Sequence, residues 1–172
     1  MRIGIDARIV HYSRAGIGQY TVQLIQALAS VVQDDEFLIF QSCKDRMTLV
    51  NHPQFRRWSL RTPSHHRLEQ LALPLEMALT DQDLLHSPDF IPPFRRHYKS
   101  VITIHDLAFL LFPNLLTREA ARYYGQIDVA ARLTDHIIAV SESTKRDIIH
   151  LVGAPERRIS VIYEAANPIF RP

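Results

Sequence analysis

Short apolar runs alternate along the chain with longer segments that have helical periodicity. Runs such as Phe37-Leu38-Ile39-Phe40 are apolar at every position, which is typical of strands buried on both faces of a parallel sheet. The segments between the runs carry apolar residues three or four positions apart, as amphipathic helices do. The pattern predicts strands at residues 2–6, 36–42, 55–60, 83–87, 100–105, 136–140 and 159–163, and helices at 16–32, 65–79, 117–133 and 141–153.

Two of the predicted helices have clear start signals, and a third contains a helix breaker. Thr117 and Ser141 are N-cap residues, and Gly153 ends the last helix. Pro74 lies inside the helix at 65–79 and should kink or divide it, because proline removes one backbone donor. The apolar positions of that helix fall on one helical face: Leu68, Leu71, Ala72, Leu75 and Leu79.

The alternation of strands and helices predicts an α/β fold with a layered, mainly parallel sheet. In such sheets ligands bind at the carboxyl ends of the strands. The polar segments of this sequence fall at those ends, because they follow Asp6 and Leu85 and begin at His105 and Ser141. Their convergence predicts a functional site at that edge of the sheet.

The bulk composition excludes several classes of protein. A chain of 172 residues forms one domain, or two at most. A net charge of +2 and a pI near 8.9 are too weakly basic to indicate nucleic-acid binding, but they are compatible with an anionic ligand or lipid surface. The single cysteine, Cys43, excludes a disulfide framework. Neither a signal peptide nor an apolar run of ~20 residues is found, which predicts a cytoplasmic protein, free or at the inner membrane face.

Gly16-Ile17-Gly18 precedes the first long helix and is a candidate for phosphate binding. Small residues let backbone amides approach a phosphate, and the helix amino terminus adds partial positive charge. The dinucleotide fingerprint is incomplete, because Thr21 stands where the third glycine would be and the glycines lie ten residues beyond the strand. NAD binding is therefore not expected, and a flexible turn is the alternative interpretation.

Thr103-Ile104-His105-Asp106 ends a buried strand and carries the strongest catalytic candidate. A histidine at that position could hydrogen-bond a substrate hydroxyl or transfer a proton near neutral pH. The alternative is a structural histidine that Asp106 or the backbone satisfies. Asp106 itself is expected to orient the loop or a ligand rather than to perform chemistry.

Two further segments bring polar side chains to the same predicted edge. His86, Ser87 and Asp89 end the preceding strand and open a proline-rich loop, in which Ser87-Pro88 could instead only shape the turn. Ser141 is fully explained as a helix cap, so a ligand role is its second interpretation.

The remaining charged residues, and several motifs that the sequence lacks, limit the chemistry further. The basic stretches 56–57 and 95–99 could meet a phosphorylated or lipid-linked ligand, or could form a solvated surface. Asp6 and Arg8 are expected to pair structurally at the end of the first strand. No HExxH motif, nucleophile elbow or G-K-[ST] phosphate loop occurs, so a metal site, a hydrolase and a P-loop enzyme are not expected.

Taken in this order, the segments around Gly16, His86, His105 and Ser141 resemble the N-terminal half of a retaining glycosyltransferase of family 4, an enzyme with the two-domain GT-B fold. The resemblance implies that residues 1–172 form a Rossmann-like three-layer α/β/α domain with a mainly parallel sheet, on the acceptor side of the enzyme. The C-terminal donor-binding domain would be absent from this sequence.

The resemblance also implies an activity, which is transfer of a mannosyl or glucosyl group from a nucleotide sugar to a glycan or lipid-linked acceptor. No metal or other cofactor is implied. The expected partners are the nucleotide sugar, the acceptor and the missing C-terminal domain. Peripheral membrane contact is compatible with the basic stretches, and no nucleic acid is expected.

The resemblance assigns roles residue by residue. In the family, a histidine that matches His105 lines the cleft beside the transferred sugar, so His105 is the predicted catalytic residue. The loop formed by Gly16, Ile17 and Gly18 would approach the donor diphosphate. The residues predicted to line the cleft or the acceptor side are His86, Ser87, Asp89, Asp106 and Ser141.

The end of the sequence departs from the family pattern. Residues 164–167 read Glu-Ala-Ala-Asn where many relatives carry Asn-Gly-Val-Asp. Because the family binds its donor mainly through the second domain, we expect this chain alone to have no transferase activity. The alternative is a stand-alone, non-catalytic carbohydrate or nucleotide-sugar binding module. A missing domain predicts an apolar patch at the carboxyl edge of the sheet, whereas a stand-alone module predicts a polar edge.

Overall fold

The computed structural model describes residues 1–13 and 16–167. In this part of the chain the strands form one sheet, and every neighbouring pair of strands is parallel. The predicted parallel α/β fold is therefore confirmed. The strands are β1 (Arg2–Asp6), β2 (Glu36–Ser42), β3 (Phe55–Leu60), β4 (Leu84–Ser87), β5 (Lys99–Ile104), β6 (His136–Ala139) and β7 (Ile159–Val161).

The strand order is β3-β2-β1-β4-β5-β6-β7. From β1 the chain moves outward to β3, returns to the centre at β4, and then moves outward on the other side. The direction therefore reverses between β1 and β4, as in a Rossmann-like sheet. Ligands bind outside the carboxyl ends of the strands at such a switch point.

Helices and helical turns connect most of the strands. Two of the shorter helices, each a single turn of four residues, have no periodicity that sequence analysis could detect. The helices are α1 (Ile9–Tyr12), α2 (Ile17–Val31), α3 (Glu69–Met77), α4 (Ala108–Leu111), α5 (Arg118–Tyr124), α6 (Ile127–Leu133) and α7 (Glu142–Asp147), with 3-10 turns at Pro113–Leu115 and Glu156–Arg158 and a π turn at Ile148–Val152.

The uninterrupted apolar run of β2 is explained by burial on both of its faces. Ile39 packs in one cluster with Ile25 of α2, whereas Phe40 packs on the opposite face with Leu73 of α3. A third cluster joins β5 and β6 to α5 and α6, and it continues the core under the second half of the sheet. Its members include Ile102, Ile104, Tyr123, Ile127, Ala130 and Ile137.

The predicted helix boundaries are partly confirmed. Thr117 and Ser141 each accept a hydrogen bond from the backbone N–H three residues later, at 3.2 and 3.0 Å, so both are N-caps. The helix predicted at 117–133 is two helices, α5 and α6, which are separated at Gly125. Glycine is a poor helix former, which explains the break. The helix predicted from Ser141 to Gly153 is α7 followed by the π turn.

Helix α3 differs from the expectation in two ways. It is not divided at Pro74, but runs as one helix from Glu69 to Met77. Its buried face carries Glu69, Leu73 and Met77, whereas the predicted apolar stripe faces solvent. On this side the carboxylate of Glu69 pairs with the buried guanidinium of Arg8, and Leu73 and Met77 pack in the core.

Candidate active site

The carboxyl ends of β1, β4, β5 and β6 meet at one edge of the sheet, because these strands are neighbours and run parallel. His86 and Ser87 end β4, His105 follows β5, and Ser141 follows β6. The first turn of α2 lies beside them, where the ring of Tyr20 meets the ring of His105 edge-on with the centroids 4.8 Å apart. The structure thus brings the segments that carry the predicted site residues to one edge.

The imidazole of His105 has two hydrogen-bond partners in addition to its contact with the ring of Tyr20. Its Nδ1 lies 2.8 Å from Oε1 of Glu164, and its Nε2 lies 3.0 Å from the carbonyl oxygen of Pro88. Because a carbonyl oxygen only accepts, Nε2 carries a hydrogen in this arrangement. Glu164 was not predicted as a site residue. In the sequence, the only signal for Glu164 was that residues 164–167 depart from the family pattern. The contact of Glu164 with His105 is visible only in the fold.

His86 is a buried residue beneath α2. Its Nε2 lies 2.8 Å from the hydroxyl of Thr103, which in turn lies 3.4 Å from the hydroxyl of Tyr20. Burial lowers the pKa of His86 to about 4, and nearby His105 acts in the same direction. His86 is therefore neutral at neutral pH. It lines a groove with α2, away from the cavity beside His105, and its contact with an acceptor stays a prediction.

Ser87 and Asp89 are both buried, but they differ in how their polar atoms are satisfied. The Oγ of Ser87 has no hydrogen-bond partner within the described ranges. Asp89 accepts a hydrogen bond from the Phe90 N–H at 3.1 Å and from the Tyr123 hydroxyl at 3.5 Å, and it pairs with His65. Ser87 is 1% exposed and does not line the cavity beside His105, so its contact with a ligand stays a prediction, whereas Asp89 borders that cavity but is largely engaged.

His65 is a site residue that sequence analysis missed. Its φ of 62° lies in the left-handed region, which non-glycine residues rarely adopt. Its N–H donates to Glu69 at 2.9 Å, and its ring stacks on Tyr123 with the centroids 4.0 Å apart. Burial alone would lower the pKa of His65, but the hydrogen bond and charge of Asp89 raise it. No sequence signal could have found this pair, because its members are 24 positions apart.

A cavity of about 260 Å³ opens between these residues and the segment that follows β5. Four titratable side chains form its polar part: those of His65, Asp89, His105 and Asp106. Apolar and aromatic side chains form the rest, and this combination is typical of small-molecule sites. They are Ile17, Phe90, Ala108, Phe109, Phe112, Leu115, Leu116 and Tyr124.

A buried charge cluster supports the cavity from behind. The guanidinium of Arg8 donates to Asp6 at 2.7 Å and to the carbonyl oxygen of Thr62 at 3.0 Å, and it also pairs with Glu69. Burial opposes the charge of Arg8, but the two carboxylates outweigh it and raise the pKa of Arg8. The expected pairing of Asp6 with Arg8 is confirmed, and it fixes the loop that carries His65.

Ser141 and Asp106 make their side-chain hydrogen bonds on either side of His105 within the same edge of the sheet. The Oγ of Ser141 lies 2.9 Å from the hydroxyl of Thr144, which donates to the carbonyl oxygen of His105 at 3.2 Å. Asp106 accepts the N–H of Ala108, the first residue of α4, at 2.9 Å, and its role towards a ligand stays a prediction. A ligand role for Ser141 stays a prediction.

Gly16, which precedes α2, and Gly18, in the first turn of α2, each have a conformational reason to be glycine. Gly16 has a φ of 49°, which favours glycine. A Cβ on Gly18 would lie 1.9 Å from the carbonyl oxygen of Ser13, so a side chain there would collide with the backbone. Ile17 lines the cavity beside His105. Contact of this loop with a diphosphate stays a prediction.

The basic stretch at 95–99 lies at the opposite edge of the sheet, because Lys99 is the first residue of β5. Arg96 donates to the carbonyl oxygen of Pro93 at 3.0 Å, and Lys99 pairs with Asp135 at 2.9 Å. This position, away from His105, favours the interpretation of the stretch as a solvated surface over binding of a ligand beside His105.

The parallel sheet, with a cavity at its carboxyl edge beside the switch point, defines the chain as a Rossmann-like α/β domain. The family model described as Glycosyltransferase Family 4 matches residues 14–168. The chain therefore belongs to glycosyltransferase family 4.

Two relatives show how much of such an enzyme the chain represents. It is 26% identical over 179 residues to O-antigen chain mannosyltransferase B of Escherichia coli, covering 92% of this chain and 46% of the relative. The fold is similar to the crystal structure of a glycosyltransferase from Rickettsia africae ESF-5, with a TM-score of 0.51 and 13% identity, covering 96% of this chain and 43% of that one. The chain thus spans about half the length of both proteins.

Across the part of the chain that the structure describes, no helix is long and apolar enough to cross a membrane. No group of three or more His, Cys, Asp or Glu side chains in those residues could hold a metal ion.

Proposed function

We propose that the chain is the acceptor-side domain of a retaining glycosyltransferase that transfers a mannosyl or glucosyl group from a nucleotide sugar to a glycan or lipid-linked acceptor. Membership of the family supports glycosyl transfer. The E. coli relative is named as a mannosyltransferase of the O-antigen chain, which favours mannose and a glycan acceptor of that kind. The complete enzyme would place its second domain over the carboxyl edge of the sheet.

The apolar character of that edge carries the proposal. Leu111, Phe112 and Leu115 follow β5 at the carboxyl edge and are 53%, 59% and 82% exposed. Ile162 and Tyr163, which follow β7 at the same edge, are 55% and 68% exposed. A stand-alone module should finish this edge with polar residues, whereas a missing domain leaves apolar surface uncovered. The two-domain interpretation is therefore favoured over the binding module.

The chemistry would take place between the cavity beside His105 and the first turn of α2. The acceptor oxygen would form a bond to the anomeric carbon of the donor, the bond from that carbon to the diphosphate would break, and the acceptor proton would pass to the diphosphate. The amino terminus of α2 would stabilise the developing negative charge without a metal, together with basic groups of the second domain. His105, which borders the cavity, would lie beside the transferred sugar.

The test joins this chain to the donor-binding domain of the E. coli relative and measures transfer from GDP-mannose and UDP-glucose to lipid-linked oligosaccharide. We expect turnover by the joined protein and none by the chain alone. His105→Ala should lower kcat/KM on the order of a hundredfold or more, because it removes a group beside the reacting sugar. Ser30→Ala, on the exposed side of α2, is the matched control.

Unchanged turnover in His105→Ala would remove this residue from the mechanism. Turnover by the chain alone would refute the two-domain proposal. Tight binding of a sugar by the chain alone, with no turnover in the joined protein, would favour the stand-alone binding module instead.

A further inference from the structure

A second cavity, of about 470 Å³, lies between the segment that precedes α3 and helix α5, and nothing in the proposed reaction uses it. It shares one lining residue, His65, with the cavity beside His105. Among the described residues, all nine that line the second cavity carry a polar side-chain group. The cavity beside His105 is mainly apolar, so the two adjoining cavities suit different parts of a ligand.

His65 is held in place where the two cavities meet. Its Nε2 pairs with the carboxylate of Asp89, which borders the cavity beside His105. Its backbone N–H donates at 2.9 Å to Glu69, and its ring stacks on Tyr123, and both of these partners line the second cavity. These contacts maintain a left-handed φ of 62°, which costs free energy in a residue other than glycine. Such strain is found mainly where position matters for function.

Three side chains of the second cavity are available to a ligand. Within residues 1–13 and 16–167, the side chains of Arg67, Glu119 and Arg122 form no hydrogen bond or ion pair. A guanidinium only donates hydrogen bonds, and a carboxylate only accepts them. Together these groups can bind a ligand group that both accepts and donates, as a sugar hydroxyl does.

The charges around the second cavity do not select an ion. The positive charges of Arg67 and Arg122 are opposed by the carboxylates of Glu69 and Glu119, so the formal charges cancel apart from the two histidines. A phosphate would meet carboxylates as well as guanidinium groups in this cavity. The lining therefore suits a neutral ligand that is rich in hydroxyl groups.

We propose that the second cavity binds the inner sugar units of a neutral glycan acceptor, whose terminal sugar occupies the cavity beside His105. The terminal sugar would contact the apolar and aromatic side chains there, and the glycan would continue past His65 to Glu119 and Arg122. The proposal rests on the proposed transferase function. It makes the acceptor a growing oligosaccharide rather than a single sugar.

The experiment titrates the isotope-labelled chain with mannose, mannobiose and mannotriose, and follows its amide signals by NMR. We expect the affinity to rise on the order of tenfold from mannose to mannotriose, because the added units form hydrogen bonds in the second cavity. Mannose should shift mainly the signals of residues 105–109. Mannotriose should also shift those of residues 65–70 and 119–126.

Two variants locate the inner sugar units. Arg122→Gln should lower the affinity for mannotriose on the order of tenfold and leave that for mannose unchanged. His65→Asn should weaken the binding of both sugars, because it removes the shared ring while asparagine tolerates the left-handed backbone.

Arg118→Gln is the matched control for Arg122→Gln. Arg118 is exposed on the same helix and lines neither cavity, so the variant should bind both sugars as the unaltered chain does. Circular dichroism melting of each variant shows whether it is folded.

An affinity that does not rise with the length of the glycan would overturn the proposal. So would equal binding of mannotriose by Arg122→Gln and the unaltered chain, or no shifted signal at the highest soluble concentration of mannotriose. Inorganic phosphate that binds more tightly than mannotriose, and loses affinity in Arg122→Gln, would assign the second cavity to an anion instead.

The titration needs neither donor nor turnover, so its result is separate from the transferase test. Turnover by the joined protein without this binding would refute the second cavity alone. Length-dependent binding without turnover by the joined protein would refute the transferase proposal and leave a glycan-binding site.

Discussion

At the scale of single residues, burial decides what the histidines of this site can do. His86 and His105 both follow the sequence pattern of a polar residue at the end of a buried strand, and the sequence does not distinguish them. The structure separates them, because His86 is buried under α2 with a hydrogen bond to Thr103, whereas His105 borders the cavity. Of the two, His105 is the one that we propose meets a substrate.

The depressed pKa of His86 predicts a loss of stability in acid. The folded protein holds His86 neutral down to about pH 4, whereas the unfolded chain protonates it near its ordinary value of 6.5. Between these values the unfolded state binds more protons, so stability falls as the pH falls from about 6.5 to 4. The depression corresponds to roughly 3 kcal/mol. Urea unfolding measures this loss of unfolding free energy. It is carried out at about pH 7, 5.5 and 4.5, which roughly span the interval between the two pKa values.

His86→Gln is the matched variant for this measurement, because glutamine can still hydrogen-bond Thr103 but does not titrate in this range. Its stability should depend much less on pH over the same interval. An acid loss as steep in His86→Gln as in the unaltered chain would show that other groups cause it.

At the scale of the elements, the Gly16-Ile17-Gly18 motif at the start of α2 contains two glycines that are required for different reasons. Gly16 requires glycine for its positive φ, whereas a Cβ at that position would meet no atom of the described residues within 4 Å beyond its chain neighbours. Gly18 requires glycine because the carbonyl oxygen of Ser13 occupies the place of its Cβ. The phosphate-binding interpretation applies to both, but the structure adds a packing reason for Gly18.

The two glycines should therefore respond differently to substitution. Gly16→Ala should cost on the order of 2 kcal/mol of unfolding free energy, because a φ of 49° with a ψ of −114° lies outside the backbone regions that alanine adopts readily. Gly18→Ala should cost more, on the order of 3 kcal/mol, because α2 must move away from Ser13. Urea unfolding of both variants gives the comparison. Equal costs would contradict the close approach of Gly18 to Ser13.

At the scale of the whole molecule, the cluster around Arg8 joins parts of the chain that are far apart in sequence. It connects the end of β1 with Thr62, in the segment after β3, and with Glu69 at the start of α3. Because the cluster is buried, each carboxylate depends on the guanidinium for its charge to be tolerated. Glu69 also accepts the N–H of His65, so the same cluster supports His65 beside the cavity.

Removal of the guanidinium should therefore destabilise the entire domain. Arg8→Met keeps the apolar bulk but leaves Asp6 and Glu69 buried without their cation, which should cost about 3–5 kcal/mol of unfolding free energy. Adding Glu69→Met should restore part of the loss, because one uncompensated charge is then removed. Urea unfolding of the single and double variants measures both effects. A loss in Arg8→Met no larger than that of an exposed ion-pair variant such as Arg2→Met would refute the cluster's role.

The surface of the whole molecule also supports the proposal that the chain is one domain of a two-domain enzyme. Its carboxyl edge exposes Phe112 and Leu115 beside a cavity that is largely apolar. The proposed donor site needs basic groups to stabilise the leaving diphosphate, and this edge offers the first turn of α2 instead. We therefore propose that the second domain supplies the basic groups that bind the leaving diphosphate.

The sequence by itself determined the order and type of the main elements. Buried strands such as β2 and β5 must be apolar at most positions, and caps such as Thr117 and Ser141 act on N–H groups three residues away. These signals are local, so they can be read without the fold. The parallel arrangement also followed from local pattern, and it placed His105 at the correct edge of the sheet.

Only the tertiary structure decided which side of α3 is buried, which partners hold His105, and that His65 belongs to the site. In each case the deciding contact joins residues distant in sequence, as Arg8 with Glu69, or His105 with Glu164. Periodicity identified an apolar side of α3, but the side that is buried carries the Glu69–Arg8 ion pair together with Leu73 and Met77. Local pattern specifies what an element can bury, whereas long-range charge and packing specify what it does bury.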